Sequence, residues 1–470
     1  MYGGVLGRTS LSLALGVLVI AAVAPALAAD LGGDCCADLD ERISELEATT
    51  ATKGNRKVSL EISGHVNQAI LFWDDGSESN AYLVTNDNER TRFRFKGKAK
   101  ISADLEAGYA IEIGVRTANS KRFTQDNPEG ASASDVGFDL RDSYWYLKSK
   151  SLGRFSLGRQ ATATDKITEI NLTQTSSFAK YSDVEDTGLG LILRSSANGG
   201  FTNSGITWRR LIGDGGDQPG EGERRFDAVK YVSPEFAGFA VSAAWGEDDY
   251  WDVALNYEGE HAGFKIAAGI GYGEISDTNQ TQTVCAAQAR AEDIGLGSDT
   301  DCRQFGGSVS LLHEASGLFI NFGAGAKTDD LIEDTVRFGG TGVDDAQTFW
   351  AVQAGIEKKF FEFGKTTVYG EYYDYEGGGA TRRTIGNGDA LNPTGNAGDS
   401  WAVWGSGVNV IGAGLAQGID KAAMVLYLSY RHVEGDLTLR ELNGNVASGT
   451  IADAPLEDLD LVLTGAIIKF

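Results

Sequence analysis

From about residue 56 to the C-terminus, apolar and polar side chains alternate one for one, in segments of about 8 to 13 residues separated by polar, glycine-rich stretches. The clearest segment runs from Glu89 to Ile101. Arg90, Arg92, Arg94, Lys96, Lys98 and Lys100 share one parity, while Thr91, Phe93, Phe95, Gly97, Ala99 and Ile101 share the other. In a strand these are opposite faces, whereas a helix would scatter both sets around its axis. The pattern recurs in Tyr109/Ile111/Ile113/Val115, Trp251/Val253/Leu255/Tyr257, Phe264/Ile266/Ala268/Ile270/Tyr272, Trp350/Val352/Ala354/Ile356 and Met424/Leu426/Leu428/Tyr430. Strands of soluble sandwiches average about 5 to 6 residues, while about 9 to 11 are needed to cross a bilayer at a tilt.

The connections alternate as well. Short turns such as 104–107, 234–238 and 258–263 exchange with long loops such as 119–138, 274–304 and 376–400, as in barrels with short periplasmic turns and long external loops. Backbone facing lipid must be fully hydrogen-bonded, so such a sheet has to close on itself. Proline cannot donate to a strand ladder, and Pro128, Pro219, Pro234, Pro393 and Pro455 all fall in predicted turns or loops. The expected fold is therefore all-β: a closed antiparallel transmembrane β-barrel spanning residues 56–470. Eighteen candidate strands can be drawn: 57–73, 89–103, 108–118, 140–150, 153–160, 187–195, 204–212, 225–233, 238–247, 250–258, 263–273, 304–313, 318–327, 347–359, 365–375, 401–412, 421–433 and 459–470. The weakest are 187–195 and 204–212, which leaves the count at 16 to 18.

Composition removes other classes. The chain has 62 Gly but only 6 Pro, whereas disordered and collagen-like chains are rich in both. A formal net charge of −25 argues against a nucleic-acid partner, since phosphates are gripped by clustered Lys and Arg. Length alone suggests several domains, although single barrels run long.

Residues 1–28 read as a secretory signal peptide, with Arg8, an apolar stretch from Leu11 to Ala24 and Ala26-Leu27-Ala28 before the expected cleavage. No later run of about 18 apolar residues exists, so no transmembrane helix is expected. Residues 29–55 form an N-terminal periplasmic segment in which Leu39, Ile43 and Leu46 suggest a short helix over Asp38 to Lys53. That helix is open to three readings: a small bundle, a tether to peptidoglycan, or a loosely ordered helix. Export permits disulfides, and Cys285 with Cys302, at the ends of one polar stretch, is the simplest pairing beside Cys35 and Cys36. His65, His261, His313 and His432 lie at no ligand spacing, so neither a metal site nor a cofactor is expected.

A barrel of this girth can hold an aqueous channel, and the expected lumen parity is charged, small or hydroxylated. An enzyme would need a nucleophile beside a base, and no Gly-x-Ser-x-Gly occurs. The stretch SYWYLKSKSLGRFSLGRQ from Ser143 to Gln160 resembles the strand-turn-strand element of Gram-negative general porins. CADLDERISELEATTATKGNRKVSLEISG from Cys36 to Gly64 is similar to the start of mature alphaproteobacterial porins, the group that includes those of Brucella and Rhizobium. DAVKYVSPEFAGF from Asp227 to Phe239 and the terminal Phe470 also match. The resemblance implies an outer-membrane homotrimer of Gram-negative bacteria. Each barrel would be a passive pore for small hydrophilic solutes, usually of 16 strands, with the third external loop folded inward.

Under that reading the loop is 161–186, and its Asp165, Glu169, Asp183, Glu185 and Asp186 face the basic ladder from Arg90 to Lys100 across a constriction, producing a transverse field. Alternatively the loop acids are simply solvated and wall carboxylates such as Glu112 neutralise the ladder. A substrate-selective channel for sugars or oligosaccharides is the alternative function. Glu247-Asp248-Asp249 and Asp329-Asp330 are candidate sites for divalent cations bridging to lipopolysaccharide, or plain solvated charge on loops beside the lipid.

Overall fold

The computed structural model describes residues 58–130, 137–212, 218–222, 225–246, 249–277, 299–329, 345–378, 383–396, 398–444 and 446–470. The signal peptide, the N-terminal segment with the Asp38 to Lys53 helix, Cys35, Cys36 and Cys285 lie outside the described residues. Where the alternation runs, the chain forms β1 (Glu61–Asp74), β2 (Ser79–Thr85), β3 (Arg92–Lys100), β4 (Leu105–Arg116), β5 (Gly137–Ser149), β6 (Gly153–Gln160), β7 (Phe226–Val232), β8 (Phe239–Gly246), β9 (Trp251–His261) and β10 (Phe264–Asp277). It continues through β11 (Asp299–His313), β12 (Leu318–Asp329), β13 (Ala346–Phe361), β14 (Gly364–Gly377), β15 (Thr384–Ile385), β16 (Trp401–Ile419), β17 (Met424–Asn443), β18 (Val446–Asp453) and β19 (Leu459–Lys469).

Sixteen of these strands form the wall, and β2, β15 and β18 are short additions at the end that carries the long loops. All wall pairings are antiparallel, each strand bonding its sequence neighbour in the wall. The ring closes where β1 pairs with β19, from His65↔Lys469 to Asp74↔Asp460, while its other edge pairs with β3. Closure leaves no edge to meet hydrocarbon. At the turn end the connections are tight. Ala262 and Gly263 join β9 to β10 with φ of +51° and +84°, and two positive φ values suit a two-residue hairpin between right-twisted strands.

The wall matches the expected segments except 187–195 and 204–212, which are not wall strands. The two segments meet at the isolated bridge Ile192 to Thr207, a second bridge joins Arg194 to Phe201 in the stretch between them, and the later segment ends in a helical turn, Trp208–Leu211. Their apolar residues are buried inside the barrel instead of facing lipid: Leu189, Leu191, Leu193, Ile206 and Leu211 have no exposed surface. One-sided burial gives the same period of two in either place.

The lumen face also departs from expectation. On β1 the outward Ile62, Val66, Ile70 and Phe72 are exposed as they should be, but the inward Ala69, Leu71 and Trp73 are buried and apolar. The inner faces of β13 to β19 continue this with Phe349, Tyr373, Val410, Tyr427, Leu437 and Leu463. Against them packs the connection between β6 and β7, forming one apolar cluster with Phe178, Tyr181, Leu191 and Trp208. The Phe178 ring lies parallel to Tyr427 with centroids 4.9 Å apart. Gly435 makes room for Trp208, since a Cβ there would stand 2.7 Å from the indole.

Burial of Trp208 generates a prediction. Trp208→Ala opens a cavity beside Gly435 and lowers unfolding free energy in detergent micelles by about 3–5 kcal/mol, read by circular dichroism in urea. Phe236→Ala, on a turn where the residue is 83% exposed, stays within about 0.5 kcal/mol.

Candidate functional site

The charged centre of the lumen is built by a bulge. β4 pairs with β5 at Glu112↔Asp142 and next at Ile113↔Leu140, so Arg141 is the extra residue. The bulge turns both Arg141 and Asp142 toward the inner face, where bulges commonly re-aim a side chain. Glu112 has no exposed surface and lies among four guanidinium groups. Arg141 Nε donates to it at 2.7 Å, Arg92 Nη1 lies at 3.4 Å, Arg225 Nη2 at 3.6 Å, and Arg94 bonds its other oxygen. Arg225 also pairs with Asp142 at 2.8 Å and with Asp165 at 3.6 Å, while Arg92 reaches Glu89 at 3.3 Å. Four like charges stay together only because carboxylates separate them.

The expected ladder divides into three parts. Arg92 and Arg94 join this cluster. Arg90, just before β3, instead pairs with Asp139 at 2.8 Å and lies 3.9 Å from Asp87. Lys96, Lys98 and Lys100 continue the inner parity of β3 toward the turn end and are exposed. Beside them Arg154 covers the rings of Tyr144 and Tyr146, 5.2 Å and 4.6 Å from their centroids.

The connection between β6 and β7 runs along the inner wall, held at successive strands. Thr164 N donates to Asp252 Oδ2 at 2.7 Å, Ile170 N to Ser308 Oγ at 3.0 Å, and Gln174 N to Glu357 Oε2 at 2.7 Å. Further on, Arg431, buried and paired with Glu371 at 2.7 Å, donates to the carbonyls of Lys180 and Val184. Asn67 of β1 donates to the Ser177 carbonyl at 3.1 Å. Inner-face glycines serve this path: a Cβ on Gly323 would strike the Thr168 carbonyl, and one on Gly306 would strike the Gly220 carbonyl.

This placement separates the loop acids. Asp165 reaches the arginine cluster through Arg225. Glu169 pairs with Lys166 at 3.0 Å and Lys180 at 2.6 Å; Asp183 pairs with Lys180 at 2.7 Å. Glu185 and Asp186 pair with Lys121, at 3.2 Å and 3.3 Å. These last four acids are buried against lysines instead of facing the ladder. Lys121 and Lys180, which sequence reasoning missed, had no signal of period or spacing. Lys166 is the exposed member of the loop, with φ of +68°, and its charge acts on Glu89. Burial pushes the Glu169 carboxyl up, against the pull of Lys166 and Lys180.

Elsewhere, Cys302 is fully buried, and Asp329 is buried at the end of β12 instead of lying free in a loop. Glu247, Asp248 and Asp330 fall outside the described residues.

Glu89, between β2 and β3, supplies a pH prediction. Burial alone would raise its carboxyl, but Arg92, Lys166 and His65 hold it down to about 2 from an ordinary 4.5. A depressed acid stabilises the fold above its unfolded value and loses that contribution as pH falls toward the folded one. Urea midpoints of the parent chain and Glu89→Gln should therefore differ at pH 7 and converge between pH 4.5 and 2.

The family described as Gram-negative porin matches residues 14–438. No curated protein sequence matches the chain. Among solved structures it is similar to the anion-selective porin from Comamonas acidovorans, at 16% identity over 88% of this chain and 100% of that one, with a TM-score of 0.50. It is also similar to OmpT of Vibrio cholerae, at 12% identity over 89% and 99% with a TM-score of 0.48. A third is the Salmonella typhi OmpF complex with daunomycin, at 13% identity over 89% and 99% with a TM-score of 0.45. With the family match extending over most of the chain and the closed wall standing independently of it, this chain belongs to the Gram-negative porin family, as a β-barrel channel of the outer membrane and not an enzyme.

Proposed function

We propose that the channel passes small hydrophilic solutes by passive diffusion and prefers anions. The observation that carries this reading is the inner surface of β3 to β6. There Arg92, Arg94, Arg141 and Arg225 crowd one buried carboxylate, and Lys96, Lys98 and Lys100 continue the positive charge into exposed lumen surface. Closely lined charge acts strongly where low-dielectric walls focus it. The transverse field then comes from arginines set against Glu112, Asp142 and Asp165, with the charge of Lys166 acting on Glu89 beside them. Glu169, Asp183, Glu185 and Asp186 hold the loop in shape. The net charge of −25 does not decide selectivity, because acidic loops outside the passage contribute to it.

The family's association as a homotrimer, its contacts with lipid and lipopolysaccharide, and a peptidoglycan contact through residues 29–55 complete the proposal, together with membership of the alphaproteobacterial group. A Cys285–Cys302 bond fits the exported setting, and a shift in gel mobility on reduction that Cys302→Ser abolishes would establish it.

Reversal potentials in planar bilayers under a salt gradient test the main reading. The parent channel should show anion preference, weakening as ionic strength rises. Replacing Arg94, Lys96 and Lys98 together by Gln should move selectivity toward cations, whereas an unchanged reversal potential would sink the proposal. Conductance should step in threes. Saturable block by one sugar would instead mark a substrate-selective channel.

A further inference from the structure

On the outside of the wall, toward the end that carries the long loops, β17 and β19 place one imidazole among three carboxylates. The outward face of β17 runs through Leu426, Leu428 and Tyr430 and then turns polar at His432 and Glu434. Its neighbour changes at the same level, from Ile468 and Val462 to Asp460 and Asp458. Tyr430 stands opposite Val462 and His432 opposite Asp460, and the same register carries Glu434 opposite Asp458. The group therefore lies just beyond the apolar band, on the water side. We propose that His432, Glu434 and Asp458 form a binding site for a divalent transition-metal ion of the zinc class, which clips β17 to the strand that closes the barrel.

The imidazole is already set for a metal. His432 Nδ1 lies 2.9 Å from Asp460 Oδ1, and an ionised carboxylate only accepts, so Nδ1 carries the proton and Nε2 keeps its lone pair. Tyr430 Oη donates to the same Asp460 oxygen at 2.7 Å and holds it there. A carboxylate behind the ring is the usual way in which a metal-binding histidine is oriented. On the other side, Nε2 stands 3.5 Å from Glu434 Oε1. Two ligand atoms on one tetrahedral zinc ion stand about 3.4 Å apart, given bonds of about 2.0 to 2.2 Å. One ligand atom each from His432, Glu434 and Asp458 lie within 4.8 Å of one another. Glu434 and Asp458 are both exposed, so rotation of their side chains closes the remaining distance.

Charge argues the same way. Glu434 and Asp458 face each other across two paired strands with Asp460 beside them, and like charges set opposite cost stability unless a cation takes them up. The imidazole selects the cation. One nitrogen and two carboxylates with a place left for water suit zinc, whereas Ca2+ and Mg2+ take oxygen throughout. His432 with Glu434, and Asp458 with Asp460, are each two residues apart on one strand face. They become one cluster only when the strands are in register, so spacing along the chain conceals it.

The test is calorimetric titration of the full chain with Zn2+, folded in detergent and free of any polyhistidine tag. It compares the parent with His432→Ala, the pair Glu434→Gln/Asp458→Asn, Asp460→Asn and the control His261→Ala. Heat-dependent gel mobility identifies the variants whose barrel has closed. The expected result is Zn2+ binding that excess Ca2+ does not displace, with one ion per chain lost in His432→Ala and in the carboxylate pair and kept in His261→Ala. Asp460→Asn should bind about ten-fold or more weakly, because the ring loses its orientation. Zn2+ should also raise the temperature at which the parent barrel opens, but not that of His432→Ala. Closed parent barrels that bind no Zn2+, or binding that His432→Ala leaves unchanged, would overturn the site. Displacement by Ca2+ would reduce it to a plain acidic patch and overturn it equally.

Discussion

The structure depends on the hydrogen bonds that run once around the wall. In hydrocarbon an unpaired backbone amide has no water to turn to, so each strand must find partners on both edges. That requirement accounts for the length of the strands, for prolines confined to connections, and for a sheet that returns from β19 to β1. It also fixes which side chains can differ. Outward positions are held to apolar residues by lipid, while inward positions are free to be charged, aromatic or absent altogether.

The chain uses that freedom asymmetrically. Along β3 to β6 the inner surface carries arginines, lysines and tyrosines, and the carboxylates among them keep the cations in place. Along β13 to β1 it carries leucine, valine and aromatic rings, which in water would be costly to leave uncovered. The connection between β6 and β7 covers them. The inner-face glycines Gly306 and Gly323 admit it, because they let its backbone at Gly220 and Thr168 come into contact with the backbone of the wall. The interior is therefore part protein core and part passage, with the arginine cluster on the passage side.

The wall was legible because its cause is local. Alternation along Arg92 to Lys100 or Phe264 to Tyr272 reflects two unlike environments on the two faces of one strand, and the residues record it directly. Alternation over 187–195 has the same origin, one buried face, but the burial is against the inside of the barrel, and sequence does not say which surface does the burying. The site was readable to the extent that it lay on strands: Arg92, Arg94 and the neighbouring Glu112 could be seen as one surface. Arg141 could not, because its inward turn requires a bulge that its alternation does not announce. Lys121 and Lys180 come from connections, where no period relates a residue to its partner, so the pairing of Glu185 and Asp183 with them appears only in three dimensions.

The seam between β1 and β19 has a consequence for how such a chain matures. His65 and Lys469 are neighbours in the wall although roughly 400 residues separate them, so the pairing that completes the ring is among the least local in the molecule. Until β19 arrives, β1 and β17 each present a bare edge that could pair with any strand nearby. Assembly is thus a race between one distant partner and many close ones. Escorting the unfinished barrel, rather than strengthening any single strand, is what protects a chain built this way from aggregation.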